Sequence, residues 1–220
     1  MNRWVAGPLK SKRMNELNRQ LIHVPIIHSP ADMGSLQGGL ELVYVEQFGR
    51  RRWQEHLALI DRFWQSVRAG LAELALDYRC VGLYQDGLPV CGKEMEIVKE
   101  IAAKGSENYQ LLMELMDRGA TLIGTEDPKL LIEEHRTLKA GLATKLNQDR
   151  PAEDIDRRAR SAEILANRDA YIGRRIGETL LPGRTGILFL GMMHNIGPHL
   201  PGDVVVRRLH LGVPASRDKG

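Results

Sequence analysis

Apolar residues recur at helical spacing in the two longest periodic segments of the chain. The first segment covers residues 51–76 and carries one apolar stripe, which runs through Trp64 to Leu71. The second covers residues 129–181, is interrupted near residues 147–151, and carries a seam that ends at Ile176. We expect both stripes to face a core. The sequence leaves open whether the long helices cover the sheet or form a separate lid or dimer element.

Short apolar runs rich in β-branched residues alternate with the helical segments. They lie at residues 20–28, 80–84, 121–124, 186–190 and 204–206. This alternation predicts an α/β fold with a mostly parallel central sheet flanked by helices. Pro25 counts against the first strand, because proline cannot donate to a central ladder. Gly34, Gly38 and Gly39 predict a loop after that strand.

The length of 220 residues suits one large domain. We assign residues 21–212 to a single α/β domain, residues 1–20 to a flexible N-terminal arm and residues 213–220 to a polar tail. The two cysteines, Cys80 and Cys91, are too far apart for a CxxC motif and predict reduced thiols in the cytoplasm.

Composition narrows the range of partners. Hydrophobic residues make up 43% of the chain, which is ordinary for a globular protein. The net charge of +3 is too small to predict a nucleic-acid partner. No run approaches the ~20 apolar residues of a membrane span. We therefore expect a small-molecule or peptide partner, and neither nucleic acid nor membrane.

Polar residues follow four of the predicted strands. The first strand ends at His28, the second at Asp86, the third at Glu126 and the fourth shortly before His194. The carboxyl ends of parallel strands meet at one edge of a sheet, where ligands bind. Two imidazoles and these carboxylates suit either a divalent metal or acid/base hydrolysis. Each residue also has a plain structural explanation, such as turn formation at Asp86.

Arg168 lies on the apolar seam of the last long helix, three residues after Leu165 and four before Ile172. A charged side chain there needs a partner. Two interpretations stay open. One is a salt bridge to an acidic residue at the edge of the core, and the other is stabilisation of negative charge on a substrate or transition state.

The C-terminal region resembles the closing segment of the TraB family. The resemblance is carried by Asn167-Arg168, an amphipathic stretch to Leu181, Pro182-Gly183, an apolar strand, and Gly191-Met192-Met193-His194. The TraB family belongs to a wider group with the Tiki proteases, the haem-binding lipoprotein ChaN and the erythromycin esterases. Its pattern has two GxxH-type motifs with acidic residues between them. His28 would match the first motif, although Pro25 stands where a glycine is expected.

The resemblance and the strand-end residues together predict a metal-dependent hydrolase of peptide or ester bonds. His28, His194, Glu126 and Arg168 are the expected catalytic residues. The expected ligands of a Mn, Co or Zn ion are His28, Asp86 and His194. The alternative is a non-catalytic protein that binds a small molecule or haem in the same crevice. A homodimer formed through the long helices is a further expectation.

Overall fold

The computed structural model describes residues 18–146 and 151–211. The strands are β1 (Arg19–Ile26), β2 (Val81–Gln85), β3 (Thr121–Ile123), β4 (Thr185–Gly191) and β5 (Val204–Arg208). The α-helices are α1 (Gln37–Phe48), α2 (Arg50–Glu73), α3 (Glu94–Ala103), α4 (Glu107–Asp117), α5 (Pro128–Leu146) and α6 (Pro151–Thr179). Short 3₁₀ helices lie at Pro30–Leu36, Tyr78–Cys80 and Gly197–His199. The predicted arm, up to residue 17, and the tail lie outside the described residues.

The five strands form one parallel sheet in the order β3-β2-β4-β1-β5. β4 pairs with β1 from Gln20↔Thr185 to Ile26↔Gly191, and on its other side it pairs with β2. The predicted α/β fold with a central parallel sheet is therefore confirmed. Its central strand comes from the C-terminal part of the chain.

Two apolar layers sandwich the sheet, because successive residues of a strand face opposite sides. On one side Ile187 and Phe189 of β4 join a core cluster that includes Trp64 of α2 and Leu112 of α4. On the other side Leu188 and Leu190 join a cluster formed with the C-terminal half of α6. Helix α2 therefore covers the sheet, and its apolar stripe belongs to the core.

The seam predicted along α6 is buried only in part. Ile172 and Ile176 are fully buried, whereas Ile155 near the start of the helix is 71% exposed. The N-terminal part of α6 lies beyond the sheet and packs against α5. None of the helices in the described part of the chain has a stretch long and apolar enough to cross a membrane.

Pro25 is accommodated in the interior strand β1 because of where the neighbouring strand β5 stops. The carbonyl of His23 accepts a hydrogen bond from the backbone N–H of Leu209, on the β5 side. Residues two apart in a strand point to the same side, so the N–H that Pro25 lacks would also point toward β5. Pairing with β5 ends at His23, and no ladder hydrogen bond is lost.

Candidate functional site

The polar residues predicted at the strand ends meet at the carboxyl edge of the sheet. His28 follows β1, Asp86 follows β2 directly and His194 follows β4, and these three strands are neighbours. A cavity of about 610 Å³ opens there, and His28, Asp86, Arg168 and His194 line it. Glu126, which follows β3, is fully buried next to this group.

Arg168 projects from α6 into a cluster of carboxylates. Its Nε and Nη2 donate to the two oxygens of Glu126, each at 2.6 Å. Nη2 also donates to Asp86 Oδ1 at 2.6 Å, and Nη1 donates to Glu134 Oε1. The guanidinium is therefore committed to three carboxylates, as the salt-bridge interpretation of the sequence requires.

Asp86 lies between two histidines. Its Oδ2 is 3.7 Å from His28 Nε2 and 3.6 Å from His194 Nε2. The same oxygen accepts a hydrogen bond from the backbone N–H of Gly191 at 3.0 Å. The other carboxyl oxygen is held by Arg168. One buried carboxylate thus connects a residue that follows β1, a residue that follows β4 and a residue that lies on a helix.

His194 is oriented by a second carboxylate, which the sequence did not single out. Its Nδ1 lies 2.6 Å from Asp169 Oδ1, and the other oxygen of Asp169 accepts from the backbone N–H of Asn195. An ionised carboxylate can only accept, so Nδ1 carries a hydrogen. Its position beside Arg168 could have identified Asp169 as a site residue, because two adjacent charged residues on a buried helix segment both need partners.

Gly191 is required by space rather than by backbone conformation. A Cβ added there would lie 3.0 Å from Asp86 Oδ2 and 4.0 Å from His28 Nε2. Its φ angle is not positive, unlike that of Gly87 or Gly183. The absence of a side chain at Gly191 therefore lets strand β4 approach the Asp86 carboxylate.

The charges of the cluster shift three pKa values. Burial raises the pKa of the Asp86 carboxyl, but interactions with His28, Arg168 and His194 outweigh it and hold the pKa well below its usual range. For Glu126 burial prevails over the attraction to Arg168, so its pKa is raised. Burial lowers the pKa of His28, but its interaction with the Asp86 carboxylate is stronger and the net shift is upward.

Tyr109, on α4, is a further polar residue of the cavity that sequence reasoning missed. Its ring is buried, and its hydroxyl makes no hydrogen bond with residues 18–146 or 151–211. Burial raises the pKa of the phenol, and the charges of Asp32 and Asp86 raise it further, so it stays a neutral donor. Helical periodicity marks this position as core, which is why no sequence signal distinguished it.

Asp32 belongs to the wall of the same cavity. It accepts hydrogen bonds from the Ser29 backbone N–H at 2.6 Å and from the Ser106 hydroxyl. Ser106 caps α4 by accepting a hydrogen bond from the Tyr109 backbone N–H at 3.2 Å. These contacts join the segment that carries His28 to the start of the helix that carries Tyr109.

The geometry of the cluster bears on the metal ion and the haem that the sequence led us to expect. Within residues 18–146 and 151–211, no group of three or more His, Cys, Asp or Glu residues is placed so that it could hold a metal ion. Both ring nitrogens of His194 face carboxylates, so this histidine is not free to bind a haem iron, whereas His28 lines the cavity with Nδ1 unpaired among the described residues. The side chains as arranged do not fit a metal ion held by three protein ligands, and both the metal and the haem stay predictions of the family resemblance.

Comparison with protein-family models, curated proteins and solved structures gives no match for this chain. Its class is therefore defined by its own fold and site. It is an α/β protein with a parallel sheet and a cluster of mostly buried ionisable side chains at the carboxyl edge of that sheet.

Proposed function

We propose that this protein is a hydrolase of ester or amide bonds that uses a histidine as general base and water as the nucleophile. The observation that carries the proposal is the Asp86–His28 pair in the wall of the cavity. The sequence resemblance to a group that includes peptidases and esterases supports the same reaction class. In this proposal the carboxylate cluster orients the histidine, and the neutral Tyr109 phenol donates to the substrate carbonyl.

His28 is the histidine that can take a proton from water. Its side chain is 42% exposed and lines the cavity, whereas that of His194 is 4% exposed. Nε2 of His28 faces Asp86, and Nδ1 makes no hydrogen bond to the described part of the chain. Asp86 orients the ring and stabilises its protonated form, as a carboxylate does for the histidine of a catalytic triad.

We assign Tyr109, which lines the cavity, the role of donor to the substrate carbonyl. A hydroxyl with no partner among residues 18–146 and 151–211 can donate to an oxygen that gains negative charge in the transition state, and removing such a donor typically costs about 10²–10³ in kcat. Arg168 acts through other residues, because its nitrogens already bind Asp86, Glu126 and Glu134. We therefore propose that Arg168 positions these carboxylates and does not contact the substrate directly.

The reaction then proceeds in two steps with balanced proton transfers. A water molecule attacks the carbonyl carbon while His28 Nδ1 accepts its proton and the Tyr109 hydroxyl donates to the carbonyl oxygen. The bond to the leaving group then breaks, and His28 returns the proton to the departing oxygen or nitrogen. The products are a carboxylic acid and an alcohol or amine, and both side chains return to their initial states.

The proposal is tested by initial rates on short-chain methyl esters, measured by acid release in a pH-stat. We expect turnover by the purified protein and a loss of about 10²–10⁴ in kcat for His28→Gln, the range typical of general acid/base catalysis. The matched control is His199→Gln, an exposed histidine outside the cavity, which should keep the wild-type rate.

Two outcomes would contradict the proposal. The first is the absence of turnover on esters and on a mixture of unstructured peptides by folded protein. The second is an unchanged rate for His28→Gln. The metal requirement is decided by the same assay after treatment with EDTA. Activity that returns only with Mn, Co or Zn would replace the metal-independent reaction with the metal-dependent one that the resemblance implies.

A further inference from the structure

A smaller cavity adjoins the candidate site on the side of His28. It measures about 210 Å³ and is lined mainly by residues of α1 and α2, among them Tyr44, Trp53 and Ile60. His28 and Met33 line both this cavity and the larger one. A group bound in the smaller cavity would therefore lie next to the residue that we propose as the general base.

The walls of the smaller cavity carry aromatic and aliphatic side chains. The ring of Tyr44 lies 5.3 Å from that of Trp53 and is stacked on that of His56 at 5.2 Å. No Asp, Glu, Lys or Arg is among the described residues that line it. The larger cavity, in contrast, is lined by several carboxylates and by one arginine that is already paired. The carboxylates disfavour an anionic group in the larger cavity, the smaller one has no lysine or arginine to pair with an anion, and an uncharged apolar group suits the smaller one.

The volume limits what fits. A dry apolar cavity of about 150 Å³ is known to hold one benzene molecule. A cavity of about 210 Å³ would hold one six-membered ring with a short linker, or a chain of about six carbons. A folded partner or a long acyl chain would not fit inside it.

Helix α1 gives an independent reason to expect an apolar occupant. Half of the twelve residues of α1 are apolar, and yet none of them is buried. Leu40 and Tyr44 of this helix face the smaller cavity. A bound apolar group would cover both side chains, which provides contacts that this helix lacks in the unliganded chain.

We propose that the smaller cavity is a subsite for an uncharged apolar group of the substrate, adjacent to the bond that is hydrolysed. The group is an aromatic ring or an alkyl chain of up to about six carbons. This inference rests on the proposed hydrolase function for its kinetic test, and it has a separate binding test. Burial of one methylene is worth about 0.8 kcal/mol, which corresponds to about a threefold to fourfold effect.

The kinetic test compares kcat/KM for methyl esters of acids with two to six carbons, with methyl phenylacetate and with the charged monomethyl succinate. We expect a rise of about threefold per methylene, or on the order of 100-fold across the series, and poor turnover of the succinate. Tyr44→Ala should flatten this dependence. Leu42→Ala on the same helix, at a position 63% exposed and outside the cavity, should retain it.

The binding test uses phenylacetone, a ketone with no bond that can be hydrolysed, as the probe and follows tryptophan fluorescence. We expect a saturable change that is absent in Trp53→Phe, weakened in Tyr44→Ala and kept in Leu42→Ala. Ester turnover without dependence on chain length, together with no binding of the probe, would overturn the subsite and leave the hydrolase standing. Binding of the probe without turnover of any ester or peptide would support the subsite and overturn the hydrolase.

Discussion

Replacing Arg168 by methionine tests whether the carboxylate cluster depends on this one cation. Methionine keeps much of the side-chain length but removes all donors to Asp86, Glu126 and Glu134. Asp86 and Glu126 are both buried, so two carboxylates would lose their partner inside the protein. Removing one partner of a buried ion pair costs about 3–5 kcal/mol of unfolding free energy. We expect Arg168→Met to fall in this range at pH 7.

The deficit should shrink in mild acid. Burial raises the pKa of Glu126 even with Arg168 present, and loss of the guanidinium raises it further. A carboxyl whose pKa is higher in the folded state than in the unfolded state destabilises the fold above its folded pKa, and this penalty disappears as the pH falls below it. For Asp86 in the wild type we expect the opposite trend, because its pKa is depressed and its stabilisation is lost as acid protonates the carboxylate.

The assay is urea unfolding followed by circular dichroism at pH 7 and at pH 5. Arg160→Met is the matched control, because Arg160 lies on the same helix and pairs with Glu133 and Glu163 but is 54% exposed. Such exposed pairs are worth about 0–1 kcal/mol. The reasoning fails if Arg168→Met costs no more than Arg160→Met, or if its deficit is equal at the two pH values. Adding Glu126→Gln to Arg168→Met should recover part of the loss.

Three further changes probe the site through activity. Asp86→Asn removes the main interaction that raises the pKa of His28, so the acidic limb of the pH–rate profile should move to lower pH. A midpoint that stays in place or moves to higher pH would contradict the Asp86–His28 pair. Tyr109→Phe should lower kcat by about 10²–10³ without unfolding the protein. Tyr78 is a buried tyrosine outside the cavity, so Tyr78→Phe should leave kcat unchanged, and equal rates for the two variants would refute the role of Tyr109. Gly191→Ala should cost about 1–3 kcal/mol and most of the activity, because its Cβ would press on Asp86. Gly202→Ala is the control for thermal unfolding and for rates, because beyond its chain neighbours no described atom lies within 4 Å of the added Cβ. Equal losses of stability and activity in Gly202→Ala and Gly191→Ala would refute the steric explanation for Gly191.

The strand ends could be predicted from the sequence because the fold class alone brings them together. Once the sheet is parallel, His28, Asp86 and His194 must share an edge, whatever the strand order. The order itself was not predictable. The placement of β4 between β1 and β2 depends on packing of the whole sheet, and no local pattern encodes it.

The failures come from residues whose tertiary surroundings override their local tendency. Gly38 and Gly39 predict a loop, but they lie in helix α1, because glycine in a helix costs only about 1 kcal/mol each and packing can offset it. Tyr109 was hidden by its helical periodicity, which is the same for a core residue and for a residue that lines a cavity. Asp169 was overlooked because its partner, His194, lies 25 residues further along the chain.

The position of β4 also determines when the site can exist during synthesis. β1 and β2 do not pair with each other, and both pair with β4. Synthesis proceeds from the N-terminus at about 5–20 residues per second, so β1 and β2 wait for their common neighbour. Until residues 185–191 are available, their facing edges are unpaired and His28 and Asp86 have no strand to bring them together. A nascent or C-terminally truncated chain would thus lack the whole acid/base pair, rather than carry a weakened version of it.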